Sequence, residues 1–174
     1  MLTHKSNEGF SLIELLLVVT IIGIISAIAV PNLMSSKRAA NEASALAGLR
    51  LISSAQATYQ STTGAGEYGD LGVLRDQNLV DLSVGAATIA GPGTPKTGYL
   101  YAAASVSGAG APAFDAKAQP SSHTSDSLLF ATGSRSFFVN EAGVMYFNTT
   151  GTAPTCTATS ARTVSAGAGG GVLN

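Results

Sequence analysis

Gly9-Phe10-Ser11-Leu12-Ile13-Glu14 opens an apolar stretch that runs on through Leu15-Leu-Leu-Val-Val-Thr20-Ile-Ile-Gly23-Ile-Ile-Ser26-Ala-Ile-Ala-Val30, with Pro31 directly after. Its only charge is Glu14. From Phe10 to Val30 the run is 21 residues long. About 20 residues at 1.5 Å per residue span a hydrocarbon core of ~30 Å, so the length fits one membrane crossing. A carboxylate inside such a segment costs roughly 2.5–3.5 kcal/mol on insertion scales, which calls for a partner and a job.

An ordinary secretory signal competes with this reading, because Ala27-Ile28-Ala29 has the look of a small-residue cleavage site. Pro31, two residues beyond that cut, and Glu14 inside the apolar run both speak against it. Orientation does not follow from the flanking charges. Lys5 and Glu8 lie on one side and Lys37 and Arg38 on the other, a pattern that by itself slightly favours a cytoplasmic C-terminus.

Helical character continues past the apolar run. Residues 32–60 contain no Pro and one Gly, and Ala is frequent. Leu46, Leu49, Ile52, Gln56 and Tyr59, with Ala45 and Ala55 alongside, recur at spacings of three and four and form one stripe for burial. Ser61-Thr62-Thr63-Gly64 supplies a stop. A helix from Phe10 to Thr63 is about 80 Å long, with Pro31 inside it as the place to bend or lose hydrogen bonding. Its first half needs cover from lipid or from copies of itself.

Beyond Gly64, the leucines and valines at 71–74 read as a helical turn, and those at 79–82 as a connection. Thr97 to Val106 reads as a strand weakened by its Ala run, and Ser127 to Ala131 as a shorter one. The clearest element spans Arg135 to Asn148. Two aromatic and β-branched runs flank Glu141-Ala142-Gly143, which predicts a hairpin with Gly at the positive-φ position. Stretches 84–96 and 107–125 read as loops, and 165–174 as a loose tail. The expected fold is α+β: one long helix whose C-terminal half packs on an antiparallel sheet of three or four strands.

Composition narrows the function. Net charge is −1, and removing residues 1–9 takes away Lys5 and Glu8 and leaves it unchanged, so no basic field draws the chain to nucleic acid. Charged residues make up only 11% of the chain, a bland surface suited to packing against copies of itself. Cys156 is the sole cysteine, so no intrachain disulfide can form, and the C-terminal region must be held by packing alone.

No catalytic or cofactor set emerges. Gly64-Ala-Gly66-Glu-Tyr-Gly69 has the dinucleotide-binding spacing, but it follows a helix and leads into a loop, so it reads as a helix stop. His4 and His123 have no second set of ligands for a transition metal, and no motif supports a Cys156–His123 pair. Asp70, Asp76 and Asp81 lack calcium-loop spacing and read as solvated carboxylates. Asn148-Thr149-Thr150 is a glycosylation sequon by pattern and a strand end by context.

The short leader Met1–Glu8, Gly9, and Phe-Ser-Leu-Ile-Glu heading an apolar helix resemble the N-terminus of type IV pilin and type II secretion pseudopilin precursors. The likeness covers about the first 60 residues and carries the class III prepilin pattern. It implies a pilin fold in three parts: a leader at 1–9, a transmembrane and assembly helix at 10–35, and a globular headgroup at 36–174. It also implies that a membrane-embedded peptidase cuts between Gly9 and Phe10 and methylates the new amine of Phe10. On this pattern Gly9 keeps the cut site uncrowded, and Lys5 holds the precursor's leader in the cytoplasm. Glu14 then meets the α-amine of a neighbouring subunit and sets the axial stagger, with Pro31 shaping the assembly helix.

The implied protein is not an enzyme. It is a homopolymer subunit that needs no cofactor or metal and is handled by the peptidase and an assembly platform. It sits as a single-pass inner-membrane protein before joining a surface filament for adhesion, motility or DNA uptake. The alternative within the class is a pseudopilin of a type II secretion system, forming a periplasmic piston. From other classes, a monotopic anchored binding domain and a secreted enzyme remain as rivals, the latter without a catalytic set. With Phe10 and Tyr59 as the only aromatics in the helix, nothing suggests electron conduction.

Overall fold

The computed structural model describes residues 9–106, 110–124, 130–157, 162–167 and 169–173. The chain divides into two compact units, Met1–Ser36 and Lys37–Asn174, and helix α1 (Leu12–Ser61) contributes to both.

In the first unit α1 starts at a defined point. The carbonyl of Ser11 accepts the backbone N–H groups of Glu14 (3.1 Å) and Leu15 (3.2 Å), which closes the first turn. Every residue from Leu12 to Leu33 is exposed. The helix passes through Pro31 unbroken. Proline has no N–H to give to the Ala27 carbonyl, and its ring crowds that turn. Polar side chains bond back onto the backbone around it: Asn32 Nδ2 donates to the Ile28 carbonyl (3.1 Å), Ser35 Oγ to that of Pro31 (3.2 Å) and Ser36 Oγ to that of Asn32 (3.0 Å).

In the second unit the predicted stripe on α1 is the buried one. Ala45, Leu49, Ile52, Ala55 and Gln56 are buried, and Leu46 and Tyr59 pack partly buried against the core. Glu42 and Gly48 join the stripe, which the apolar pattern alone did not reveal. Opposite lies a five-stranded antiparallel sheet in the order β1 (Tyr99–Val106), β2 (Ala113–Pro120), β3 (Ser136–Asn140), β4 (Met145–Asn148) and β7 (Gly171–Val172). β5 (Thr155–Cys156) and β6 (Val164–Ser165) form a separate two-stranded ribbon. Tyr99, Tyr101, Phe137 and Val139 meet Leu49 and Ile52 in the core, among the small side chains of Ala103, Ala116 and Ala118. Two short helices, α2 (Leu71–Asp76) and α3 (Leu82–Ala86), add Leu71, Leu74 and Val84.

The hairpin and its glycine are as predicted: β3 and β4 pair with Phe137 opposite Phe147, and Gly143 has φ +73° in the turn. The sheet is larger than expected. The stretch 107–125 contains β2, whose Ala, Lys, Asp and Gln content shows little strand propensity. Pairing with β1 on one side and β3 on the other supplies what propensity lacks. The tail is also ordered in part, since β7 pairs with β4 and Leu173 N–H donates to the Met145 carbonyl (2.8 Å). α3 takes the start of the expected loop at 84–96. Of the strand predicted at Ser127–Ala131, residues 127–129 lie outside the described residues, and Phe130 and Ala131 are not in a strand.

The glycine-rich stretch after α1 is a helix stop. Gly64 N–H donates to the Tyr59 carbonyl (2.7 Å), and Ala65 and Gly66 have φ of +50° and +96°. Gln56 is fully buried in the apolar stripe because its amide pairs with both backbone groups of Gly69, donating at 2.6 Å and accepting at 3.0 Å. The C-terminal region is not held by packing alone, because Arg162 ties it to the sheet through ion pairs.

Candidate processing and assembly segment

Gly9 and Phe10 precede the first turn of α1, and both are exposed, Phe10 at 81%. A Cβ placed on Gly9 would meet nothing within 4 Å. Among the described residues nothing therefore demands glycine there. The leader residues 1–8, with His4 and Lys5, lie outside the described residues.

Glu14 sits in the first turn of α1, exposed and one helical turn beyond Phe10. No described residue offers its carboxylate an ion pair or a side-chain hydrogen bond. Its place near the positive end of the helix dipole favours a negative charge, but only modestly, at about 0.3–1 kcal/mol. Around it Leu12, Ile13, Leu15, Leu16 and Leu17 are all more than half exposed. The 18-residue window through this stretch has mean hydropathy 2.7, and none of it is buried among the described residues. Apolar surface of this extent is not left in water. The segment thus lacks apolar cover among the described residues, and its one carboxylate, Glu14, has no cation beside it there.

The other residues singled out in the sequence are scattered and engaged locally. Asp70 Oδ1 accepts from Ser105 N–H (2.9 Å), Asp76 pairs with Arg75, and Asp81 with Ser83 and Lys96. His123 is buried, with Nε2 2.9 Å from the Ser134 carbonyl. Cys156 is half-buried, 3.9 Å from Asn140 Nδ2. Asn148 of the sequon is buried, its amide donating to the Ala166 carbonyl and accepting from Thr150, so a glycan on it would have to displace the strand end. Among the described residues no three His, Cys, Asp or Glu gather into a metal-binding group.

One polar constellation was missed. Glu42, on α1, is buried and accepts from Ser134 N–H (2.9 Å), Ser134 Oγ (2.7 Å) and Arg135 Nε (2.8 Å). Burial works against its charge, but the hydrogen bonds from Ser134 and the charge and hydrogen bond of Arg135 outweigh it and hold the carboxyl below its ordinary range. The Arg135 guanidinium also lies over the rings of Phe137 (5.7 Å) and Phe147 (5.8 Å). A lone Glu in a helix carries no sequence sign that it faces inward, so this tie between helix and sheet emerges only from the fold.

Comparison with known proteins bears on the N-terminal segment. Residues 4–30 match the family model of the prokaryotic N-terminal methylation motif. The chain is 42% identical over 58 residues to the type IV major pilin protein PilA of Myxococcus xanthus, covering 33% of this chain and 26% of that protein. It is 39% identical over 56 residues to the type IV wide pilus major component PilA4 of Thermus thermophilus, covering 32% of this chain and 43% of that one. The chain thus spans less than half the length of either relative. No solved structure shows significant similarity. Within those bounds, the N-terminal third of this chain is similar to that of type IV pilins and carries the methylation motif.

Proposed function

We propose that the chain is a structural subunit of a type IV pilus-like filament. The observation that carries this reading is the coincidence, in one segment, of the N-terminal methylation motif with an apolar helix that finds no cover among the described residues. Relatives named as pilus components favour a pilus over a secretion pseudopilus.

The parts act in sequence. Residues 1–9 are a leader, cleaved after Gly9 by a prepilin peptidase that also methylates Phe10. Residues 10–35 hold the subunit in the inner membrane as a single span until an assembly platform extracts it. In the filament those helices cover one another, and the headgroup at 36–174 tiles the surface. Glu14 meets the free α-amine at Phe10 of a neighbouring copy. Two opposite charges in a low-dielectric core attract strongly, and each offsets the other's cost of burial. Off-register packing leaves both unpaired, which makes the pair a device for setting stagger. Pro31 and the back-bonding side chains of Asn32, Ser35 and Ser36 lie where the apolar run ends.

Mass spectrometry of the native protein tests the reading: an N-terminus at Phe10 carrying one methyl group is expected, with filaments seen by electron microscopy of sheared cells. A mature start at Val30, or an intact Met1, would refute it. Gly9→Val should leave unprocessed precursor in the membrane.

A further inference from the structure

Among the described residues after Thr149, stretches 149–157 and 162–173 hold to the sheet at several points, two of which stand out. At one, β7 pairs with β4, and Thr149 Oγ1 donates to the Gly169 carbonyl (3.3 Å). At the other stands Arg162, two residues before β6, with only 8% of its side chain exposed. Its Nη2 donates to Asp115 Oδ1 of β2 and to the Phe114 carbonyl (3.2 Å), and its Nε lies 2.7 Å from Glu141 Oε1 in the β3–β4 turn. The two carboxylates are themselves largely covered, at 17% and 26% exposure. Burial works against the guanidinium's charge, but the hydrogen bond and charge of Asp115, followed by Glu141 and Cys156, outweigh it and hold the group above its ordinary value.

The cluster stands on the side of the sheet away from α1. Along β3 the side chains alternate, with Phe137 and Val139 in the core against α1 and Ser136, Phe138 and Asn140 on the opposite face. That opposite face is buried too, Phe138 completely. Ala153 and Pro154 of the C-terminal segment are buried, and Cys156 approaches Asn140 of the same face.

We propose that Arg162 is a charge clasp that holds the described stretches 149–157 and 162–167, as a strap, against the outer face of the sheet. Closure is governed by the charge balance of Arg162, Asp115 and Glu141 and by no covalent link, because Cys156 has no second cysteine to pair with. The other groups facing the cluster are the Cys156 thiol, the Asn140 amide and Lys117, two residues along β2 on the same face as Asp115. A buried cation stripped of its carboxylates cannot stay dry, whereas removing the cation along with them leaves only two uncharged amides, which cost far less to keep covered than a charge. Neutralising the carboxylates must therefore lift the strap and bare Phe138, and also neutralising Arg162 must let it settle again.

The test uses the full-length protein in detergent micelles, with hydrogen exchange read peptide by peptide. In Asp115→Asn/Glu141→Gln, exchange in the peptides covering 149–157 and 162–173 is expected to rise by about tenfold or more, while α1 and β1 keep their protection. Adding Arg162→Met to that variant should restore much of the lost protection, an outcome that a merely space-filling role for the three side chains does not give. Unchanged exchange in the double variant would overturn the proposal. So would a triple variant as open as the double, or loss of protection spread equally over α1 and β1.

Discussion

Gly48→Ala sets two known effects against each other at one buried site. In a helix interior, alanine is favoured over glycine by about 0.8–1 kcal/mol, so propensity alone makes this change stabilising. The structure reverses the sign. A Cβ on Gly48 would lie 2.7 Å from both Cε1 and the hydroxyl oxygen of Tyr101 and 2.9 Å from its Cζ, where ordinary contact begins near 3.4 Å. Tyr101 is a rigid ring with no exposed surface, on a strand held by β2, so it has little room to give. Overpacking of this kind costs typically 1–3 kcal/mol, and a clash with a confined aromatic belongs at the upper end.

The expected balance for Gly48→Ala is a loss of about 1–2 kcal/mol, or roughly 3–6 °C in Tm for a unit of this size. Thermal and urea unfolding of residues 37–174, followed by circular dichroism, would read it. A second substitution shows whether the tyrosine is responsible. Its hydroxyl has no hydrogen-bond partner among the described residues, and burial pushes its pKa up to about 12. Tyr101→Phe should therefore be neutral or slightly stabilising by itself, and should recover part of the loss in Gly48→Ala. A Gly48→Ala protein more stable than wild type, or two substitutions whose effects simply add, would refute the close approach as the reason for glycine here.

Glu14→Ala should insert in the membrane at least as well as wild type and still be cleaved after Gly9. With the proposed pairing, it leaves a neighbour's ammonium unpaired at a cost of about 3–5 kcal/mol per subunit, so filaments counted by electron microscopy should vanish or shorten sharply. Glu42 has a depressed carboxyl pKa in the folded state, so its stabilisation is present above the unfolded value and lost as pH falls through the folded one. The urea midpoint of residues 37–174 should accordingly drop in acid, and Glu42→Gln should lower it at neutral pH and flatten that part of the profile. Gln56→Leu removes the partner of both Gly69 backbone groups, each costing about 1–3 kcal/mol if left buried. It should destabilise the domain although it makes the stripe uniformly apolar, and an unchanged unfolding midpoint would count against the amide's role.

Sequence alone settled the parts of this protein that depend on local pattern. Phe10 to Val30 is predominantly apolar with Glu14 as its only charge, and no tertiary contact is needed to see that it cannot rest in water. The period of the stripe from Ala45 to Gln56 and the turn glycine at 143 are likewise local facts, and the fold kept them. Only the tertiary structure decided the rest. β2 has weak strand propensity and becomes a strand because β1 and β3 hold it on both sides. β7 is two residues of a glycine-rich tail, made a strand by the edge of β4. Glu42, Gly48 and Arg162 owe their roles to groups 92, 53 and 47 residues away in the chain, at Ser134, Tyr101 and Asp115. A buried charge or a close approach is defined by what lies across from it, and periodicity carries information about a residue's own face and none about its partner's.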